Sequence, residues 1–204
     1  MPTVLVTGFG PFADHADNPS ALAVDALAQE WPAPDGVTLV TETLPVSFAR
    51  ATERVDALVA EHRPAVVLGV GLAAGRDRIS LERVALNLAD ARIADVDGAQ
   101  PVDVPVLPGQ PLARLTTLPV KAALAALRAV DLPAELSLSA GSYVCNAVMY
   151  AALAAVADGV SAGFVHVPPA DVVAVADVVT ALGIVLDTVL ADPVDVVVPG
   201  GRED

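Results

Sequence analysis

The sequence predicts a three-layer α/β fold in which helices cover both faces of a parallel sheet. Hydrophobic residues make up 54% of the 204 residues and aromatic residues only 3%, so the core must consist mainly of alanine, valine and leucine. Residues 65–70 (AVVLGV) and 195–199 (DVVVP) are β-branched and almost continuously apolar, which is typical of strands buried on both faces. Segments with strand and helix patterns also alternate along the chain, as they do in three-layer α/β folds.

Strand and helix are predicted to alternate through the first part of the chain. Residues 8–20 are rich in Gly, Pro, Asn and Asp and indicate a loop, and Ser20 at its end is a candidate N-cap. The second helix has apolar residues along one side, and Pro64 ends it. The predicted elements are a strand at 3–7, a helix at 21–30, a strand at 37–45, a helix at 47–62 and a strand at 65–70.

The rest of the chain is predicted to contain a long irregular arm among further strands and helices. Residues 90–119 are too long for an ordinary connection, so we expect this arm to cover an active site or to form an interface. No repeat or linker interrupts the chain, which predicts one domain over residues 1–204. The other predicted elements are an extended segment at 79–88, a helix at 119–130, a strand at 134–139, a helix at 145–157, a strand at 162–168, a helix at 170–190 and a tail that is either a strand or frayed.

Charge and composition restrict the partners and the compartment. The formal net charge is −14, from 25 acidic and 11 basic residues, which disfavours binding to nucleic acid or to an anionic membrane. Small molecules or short peptides are therefore the expected partners. The single cysteine, Cys145, excludes an intrachain disulfide and suits a reducing compartment. The start, MPTVLVTGFG, does not resemble a signal peptide, and the apolar run at 147–157 is far shorter than the ~20 residues that cross a bilayer. We therefore expect a cytoplasmic protein.

Cys145 lies where a predicted strand turns sharply into a helix. Unpaired N–H groups at a helix N-terminus carry partial positive charge, which stabilises a thiolate and lowers the pKa of a thiol there. Gly141 permits a strained turn that would present the side chain. A small buried apolar residue would suit the same place, so the local sequence leaves both a nucleophile and a core residue open.

A cysteine nucleophile needs a base, and His166 is the candidate. It lies in an apolar strand that Pro168 ends, near the strand's carboxyl end, where sites gather in parallel sheets. We expect this strand to be the neighbour of the strand before Cys145, although a hydrogen-bonded core histidine would fit the same pattern. His15, in a loop, and His62, near the end of a helix, are interpreted as surface residues.

Glu82 is the candidate third member, which would orient the imidazole. It interrupts the otherwise apolar alternation ISLERVALNL, and a carboxylate in such surroundings is either paired or functional. An exposed ion pair with its neighbour Arg83 is the alternative.

Three segments of the sequence have to be considered together: GLAAGRDRISLERVALNL (71–88), LSLSAGSYVCN (136–146) and GFVHVP (163–168). Together they resemble the pyroglutamyl peptidase I family of cysteine peptidases, and the resemblance runs over most of the chain from TGFGPF onward. DARIADVDGAQPVDVP (90–105) and TTLPVKA (116–122) also follow the family. The resemblance implies a triad of Cys145, His166 and Glu82 and removal of N-terminal pyroglutamate from peptides through a thioester. No metal is expected, since the sequence has no cluster of His and Cys at ligand spacing, and no other cofactor is expected.

The resemblance also implies a fold, an assembly and a substrate pocket. The fold would be an α/β/α sandwich with a twisted, mostly parallel central sheet, and the assembly a homo-oligomer, a tetramer by analogy with relatives. The pyroglutamyl ring would lie between aromatic side chains, and backbone groups would contact the lactam and the scissile region. Arg92 would lie close to the site. The implied pocket residues are Phe9, Phe12 and Tyr143 for the ring and Leu72, Ile93 and Val144 for the backbone contacts.

The sequence departs from the family pattern at three places. Ala13–Asp14 replaces Gly-Gly, Leu72 replaces a frequent Gln, and Pro169-Ala170-Asp171 replaces Tyr-Leu-Pro. None of them removes a group of the implied triad, but they change positions that bear on the residue preferred after pyroglutamate and on assembly contacts.

Two other functions compete with a peptidase. Gly69, Gly71 and Ala74 follow a strand with the spacing of a dinucleotide-binding fingerprint, although the residues after them do not resemble the helix that such a fingerprint opens. A non-catalytic binding or assembly module, with the arm at 90–119 as its interface, is the third hypothesis.

Overall fold

The computed structural model describes residues 1–12 and 17–201. Within them strands and helices alternate as predicted, except between residues 66 and 115, where four strands follow one another. In chain order the elements are β1 (Thr3–Phe9), α1 (Pro19–Glu30), β2 (Thr38–Leu44), α2 (Phe48–His62), β3 (Val66–Leu72), β4 (Ile79–Glu82), β5 (Val84–Leu86), β6 (Ala113–Leu115), α3 (Val120–Ala129), β7 (Ala134–Ser137), α4 (Val144–Ala155), β8 (Ser161–Val167) and α5 (Val175–Ala191).

Six of these strands form one sheet in the order β2-β1-β3-β8-β4-β7. Every neighbouring pair is parallel except β4 and β8, which are antiparallel. Strands β5 and β6 form a separate antiparallel pair. The predicted mostly parallel central sheet is therefore confirmed.

Helices cover both faces of this sheet. Successive residues of β1 point to opposite faces, so that Val4 and Val6 enter one core while Leu5 enters the other. Helices α1, α3 and α5 pack on the first face, and α2 and α4 pack together on the second. The cores consist largely of Val, Leu and Ala, as the composition predicted, and the α/β/α sandwich is confirmed.

Several predicted boundaries are corrected by the structure. Asn18, not Ser20, is the N-cap of α1, and its side chain accepts from the Ser20 N–H, while Pro19 occupies the first helical position. The last helix begins at Val175 rather than at residue 170. The tail from 192 to 201 is neither helix nor strand, but the Asp195 carboxylate accepts from backbone N–H groups at the start of α3.

The arm at 90–119 is ordered and packs against the loop that leads to Cys145. Ser142 donates its hydroxyl to the Asp90 carbonyl at 2.7 Å, and the Asp90 N–H donates to the Ser142 carbonyl at 3.0 Å. The Asp95 carboxylate accepts from the N–H of Phe48 at the start of α2. The arm therefore forms part of the surroundings of the predicted site.

Candidate active site

Glu82 and His166 meet on neighbouring strands of the sheet. In the antiparallel pairing of β4 and β8, Ser80 lies opposite His166 and Glu82 opposite Phe164, so these side chains share one face. His166 Nδ1 lies 2.7 Å from Glu82 Oε1. Because the carboxylate oxygen accepts, Nδ1 carries the proton, and Nε2 is the nitrogen left to take a proton from a thiol.

The expected neighbour relation between the strands of Cys145 and His166 was wrong. Strand β4 lies between β7, which precedes Cys145, and β8, which carries His166. The order of elements in the chain does not reveal that β4 inserts there, antiparallel to β8 and parallel to β7. As a consequence, β4, the strand of Glu82, pairs both with β7, the last strand before Cys145, and with β8, which carries His166.

Cys145 occupies the second position of α4, at the electropositive end of the helix. No side chain caps this helix, and its first internal bond runs from the Ala147 N–H to the Tyr143 carbonyl. The N–H groups of Val144 and Cys145 therefore have no acceptor within the helix and can stabilise an oxyanion. Gly141 in the preceding turn has φ +82°, the left-handed conformation that glycine accommodates.

Gly71 provides the space into which the thiol fits. A Cβ added to Gly71 would lie 2.8 Å from Cys145 Sγ and 2.8 Å from Cζ of Phe164. In the parallel pairing of β3 and β8, Gly71 lies beside His166. The missing side chain thus allows the thiol to approach the part of the sheet that carries the imidazole.

The same strand excludes the dinucleotide-binding hypothesis. Gly69 and Gly71 lie within β3, and the chain continues through a loop containing Ala74 into strand β4 rather than into a helix. A Cβ on Gly69 would collide with the ring of Phe164. Both glycines are therefore explained by side-chain packing, and the fingerprint spacing does not indicate a phosphate site.

Arg76 has no signal in the sequence that marks it as a site residue, yet it contacts the predicted triad directly. One terminal nitrogen donates to Glu82 Oε1 at 2.5 Å, and the other donates to the Ser139 carbonyl at 3.0 Å. Glu82 is fully buried, which excludes the alternative of an exposed ion pair with Arg83. The sequence offered three arginines near Glu82, and only the fold of the loop before β4 shows which one faces it.

The pKa of the Cys145 thiol is raised to about 12, chiefly by burial. The negative charge of Glu82 contributes to this increase, whereas the backbone N–H of Cys145 and the cation of Arg76 act in the opposite direction. In residues 1–12 and 17–201, no hydrogen bond joins Cys145 Sγ to His166. The thiol is therefore protonated at neutral pH in this arrangement, and attack requires transfer of its proton to a base, in a geometry that can tighten when substrate binds.

A cavity of about 250 Å³ opens beside Cys145 and contains most of the predicted pocket residues. Asn18, Val46 and Ala74 also line the cavity, and no feature of the sequence indicated that they belong to a substrate pocket. The side chain of Val144 is fully buried away from it, so only the backbone of that residue is available. The predicted residues that line the cavity are Phe9, Phe12, Leu72, Arg92, Ile93, Tyr143 and Cys145.

Aromatic rings shape this cavity. The ring centroids of Phe12 and Tyr143 are 5.7 Å apart, and Phe48 meets the Tyr143 ring edge-on at 5.2 Å. Phe9 is almost completely buried and packs 6.4 Å from Phe164. The Tyr143 hydroxyl donates to the carbonyl of Ala94 in the arm, so the aromatic wall is fixed to the segment that carries Arg92 and Ile93.

The remaining sequence features lie in different places. Leu72 is the last residue of β3 and lines the cavity, whereas Pro169–Asp171 form a turn before α5 and do not line it. His62 is the last residue of α2 and lies 3.7 Å from a Glu61 oxygen, away from the triad. Ala13–Asp14 and His15 lie outside the described residues.

Neither a metal site nor a membrane span is found in the described part of the chain. In residues 1–12 and 17–201, no three His, Cys, Asp or Glu side chains form a group that could hold a metal ion. None of the helices in the same ranges combines the length and apolar character needed to cross a bilayer.

Comparison with known proteins identifies relatives over the full length of the chain. The family model described as pyroglutamyl peptidase matches residues 2–197. A pyrrolidone-carboxylate peptidase of Clavibacter michiganensis is 42% identical, with 100% of both chains covered, and pyrrolidone-carboxylate peptidase 1 of Ralstonia nicotianae is 42% identical, with 99% of both chains covered.

Solved structures agree with this match. The crystal structure of pyroglutamyl peptidase I from Bacillus amyloliquefaciens has a TM-score of 0.88 at 32% identity, covering 96% of this chain and 100% of that one. Pyrrolidone carboxyl peptidase from Thermococcus litoralis has a TM-score of 0.89 at 32% identity, covering 98% of this chain and 100% of the other. Because the sequence match extends over almost the whole chain and the folds coincide, the protein belongs to the pyroglutamyl peptidase family.

Proposed function

We propose that this protein is a cysteine peptidase that removes an N-terminal pyroglutamyl residue from peptides. The observation that carries the proposal is the arrangement of three groups at one cavity. Cys145 lines the cavity at a helix N-terminus, and the hydrogen-bonded pair of His166 and Glu82 lies on the strands behind it. Family membership supports the same chemistry.

The proposed reaction passes through a thioester. His166 Nε2 takes the thiol proton as Cys145 Sγ attacks the carbonyl carbon of the pyroglutamyl residue. The oxyanion is stabilised by backbone N–H groups at the start of α4, including that of Cys145. The imidazolium then gives its proton to the leaving amine as the C–N bond breaks, and water, deprotonated by His166, hydrolyses the thioester to release pyroglutamate. Glu82 holds the ring and stabilises its charged form throughout.

The cavity favours a neutral ring over a charged N-terminus. Its described lining contains aromatic and aliphatic side chains and no carboxylate, and Arg92 is its charged residue. An N-terminal ammonium would therefore lose water without gaining a counter-ion and would be repelled by Arg92. The lactam of pyroglutamate is uncharged and can form hydrogen bonds with backbone groups, for which Leu72, Ile93 and Val144 are the proposed partners.

The assembly and the compartment are also proposed. A single domain that forms a homo-oligomer, with a tetramer as the expected state, would cover apolar side chains that the arm exposes: Val102 is 65% exposed and Leu112 is 87% exposed. The lone thiol favours a reducing compartment, for which we propose the cytoplasm. Light scattering during gel filtration gives the assembly mass directly, and a monomer would contradict the proposed assembly.

The proposed activity is tested with a matched pair of fluorogenic amides, one of pyroglutamate and one of proline. Both have a five-membered ring, but the ring nitrogen is neutral in the first and a charged amine in the second. Loss of a buried hydrogen bond together with desolvation of the ammonium predicts a preference of at least about a hundredfold in kcat/KM for the pyroglutamyl amide. Near-equal kcat/KM values for the two amides would refute the lactam pocket.

A further inference from the structure

We propose that Arg76 is a positioning residue that fixes the Glu82–His166 pair to the loop leading to Cys145. Its two terminal nitrogens have different acceptors, Glu82 Oε1 at 2.5 Å and the Ser139 carbonyl at 3.0 Å. This inference rests on the proposed peptidase function, because it assigns a role in the same reaction.

The two acceptors belong to the parts of the site that must stay aligned. Glu82 holds His166 through Nδ1, and Ser139 lies in the connection between β7 and α4, six residues before Cys145. The other hydrogen bonds of Ser139 are local, to Ser137 and Gly141. Arg76 therefore provides the side-chain link between the base and the connection that places the nucleophile.

Glu82 depends on the hydrogen bond from Arg76, because few other groups donate to its carboxylate. Glu82 is fully buried, and its Oε1 accepts from both His166 and Arg76, whereas its Oε2 has no hydrogen-bond partner. A buried carboxylate with so few donors depends strongly on each of them. The Arg76 cation also lowers the pKa of the Cys145 thiol, opposing the effect of burial.

The shape of the guanidinium explains why arginine occupies this position. Its planar fork presents separate N–H groups to the carboxylate and to the carbonyl at the same time. A lysine ammonium could contact Glu82, but its single nitrogen is poorly suited to reach both acceptors. Arg76→Lys should therefore retain part of the function, and Arg76→Ala should lose most of it.

The experiment compares the wild type with Arg76→Ala and Arg76→Lys on the pyroglutamyl amide. We expect kcat to fall about 100-fold in Arg76→Ala and about 10-fold in Arg76→Lys, with KM changed less than about threefold, since the cavity lining does not include Arg76. Arg78→Ala is the matched control, because Arg78 lies in the same loop, has a side chain that is 54% exposed and does not line the cavity. This control should retain wild-type kinetics.

Rescue and thiol chemistry distinguish positioning from a general loss of structure. Added methylguanidinium at millimolar concentration should raise kcat of Arg76→Ala and leave Arg78→Ala unchanged. Alkylation of Cys145 by iodoacetamide needs no substrate. It should be slower in Arg76→Ala than in the wild type at pH 7, because the variant lacks the Arg76 cation, which lowers the thiol pKa. Added methylguanidinium should make the alkylation of Arg76→Ala faster again.

The outcomes separate this inference from the proposed function. A wild type that does not release the fluorophore refutes the peptidase, whereas the alkylation rates still test Arg76. The inference is overturned by wild-type kcat in Arg76→Ala, by a loss confined to KM, by an equal loss in Arg78→Ala or by failure of methylguanidinium to restore activity. If Arg76→Ala does not fold, Arg76→Lys decides: a reduced kcat with unchanged KM supports the inference, and wild-type kinetics overturn it.

Discussion

Replacing His166 by Gln should change how the reactivity of Cys145 depends on pH. Burial and the charge of Glu82 remain in this variant, so the pKa of the thiol stays near the value of about 12. At pH 8 such a thiol is ionised to about one part in ten thousand, whereas a thiol with the ordinary value of 9.0 is ionised to about one part in ten. Without a base to take the proton, the thiolate should therefore be about a thousandfold rarer than in an unfolded chain.

Iodoacetamide alkylation measures this directly, because the chain has a single cysteine and each modified molecule reports on Cys145. In His166→Gln the rate should rise about tenfold for each pH unit from 7 to 10 without a plateau, whereas in the urea-unfolded chain the rise should weaken near pH 9 and level off above about pH 10. The dependence of the rate on pH is informative even if restricted access to the cavity slows the reagent, because restricted access lowers the rate by the same factor at every pH. A plateau below pH 9 in the folded variant would refute the argument that burial keeps this thiol protonated.

Three other substitutions test separate parts of the site. Phe12→Ala removes a ring 5.7 Å from Tyr143 and should raise KM and lower kcat for the pyroglutamyl amide, because ring placement also sets the geometry of attack; unchanged kinetics would remove Phe12 from the pocket. Tyr143→Phe loses the hydrogen bond to the Ala94 carbonyl, worth about 1 kcal/mol, and should raise KM about fivefold with little change in kcat; an unchanged KM would show that this bond does not hold the arm over the substrate. Gly71→Ala puts a methyl group 2.8 Å from Cys145 Sγ and should lower kcat at least about tenfold while circular dichroism stays native-like; wild-type kcat would contradict the role of Gly71 in seating the thiol.

The fold was predictable because periodicity and composition report burial directly. Of the two continuous β-branched runs that indicated strands covered on both faces, residues 65–70 form the buried strand β3, whereas residues 195–199 lie in the tail and form no strand. The order of strands was not predictable, because hydrophobic pattern does not show which edge a strand joins. For that reason β4 was not expected between β7 and β8.

Residue types and the family resemblance were enough to predict the three residues of the candidate triad, but not the residues that support them. Cys145, His166 and Glu82 each had a plausible structural alternative in the sequence, and only their joint pattern favoured chemistry. Arg76 was missed because an arginine in a loop has no periodic signal, and its partner depends on the backbone path between β3 and β4. Asn18 was missed as a cap, although the proline after it is a signal for the first helical position.

The central claim, that Cys145 forms a thioester with the pyroglutamyl group, is tested most directly by trapping that intermediate. A pyroglutamyl ester that acylates rapidly is mixed with the protein, quenched in acid within milliseconds and analysed by mass spectrometry after digestion. The account predicts one pyroglutamyl group on the peptide that contains Cys145, and neither this adduct nor turnover in Cys145→Ala. An adduct on another residue, or turnover in Cys145→Ala comparable to the wild type, would contradict it.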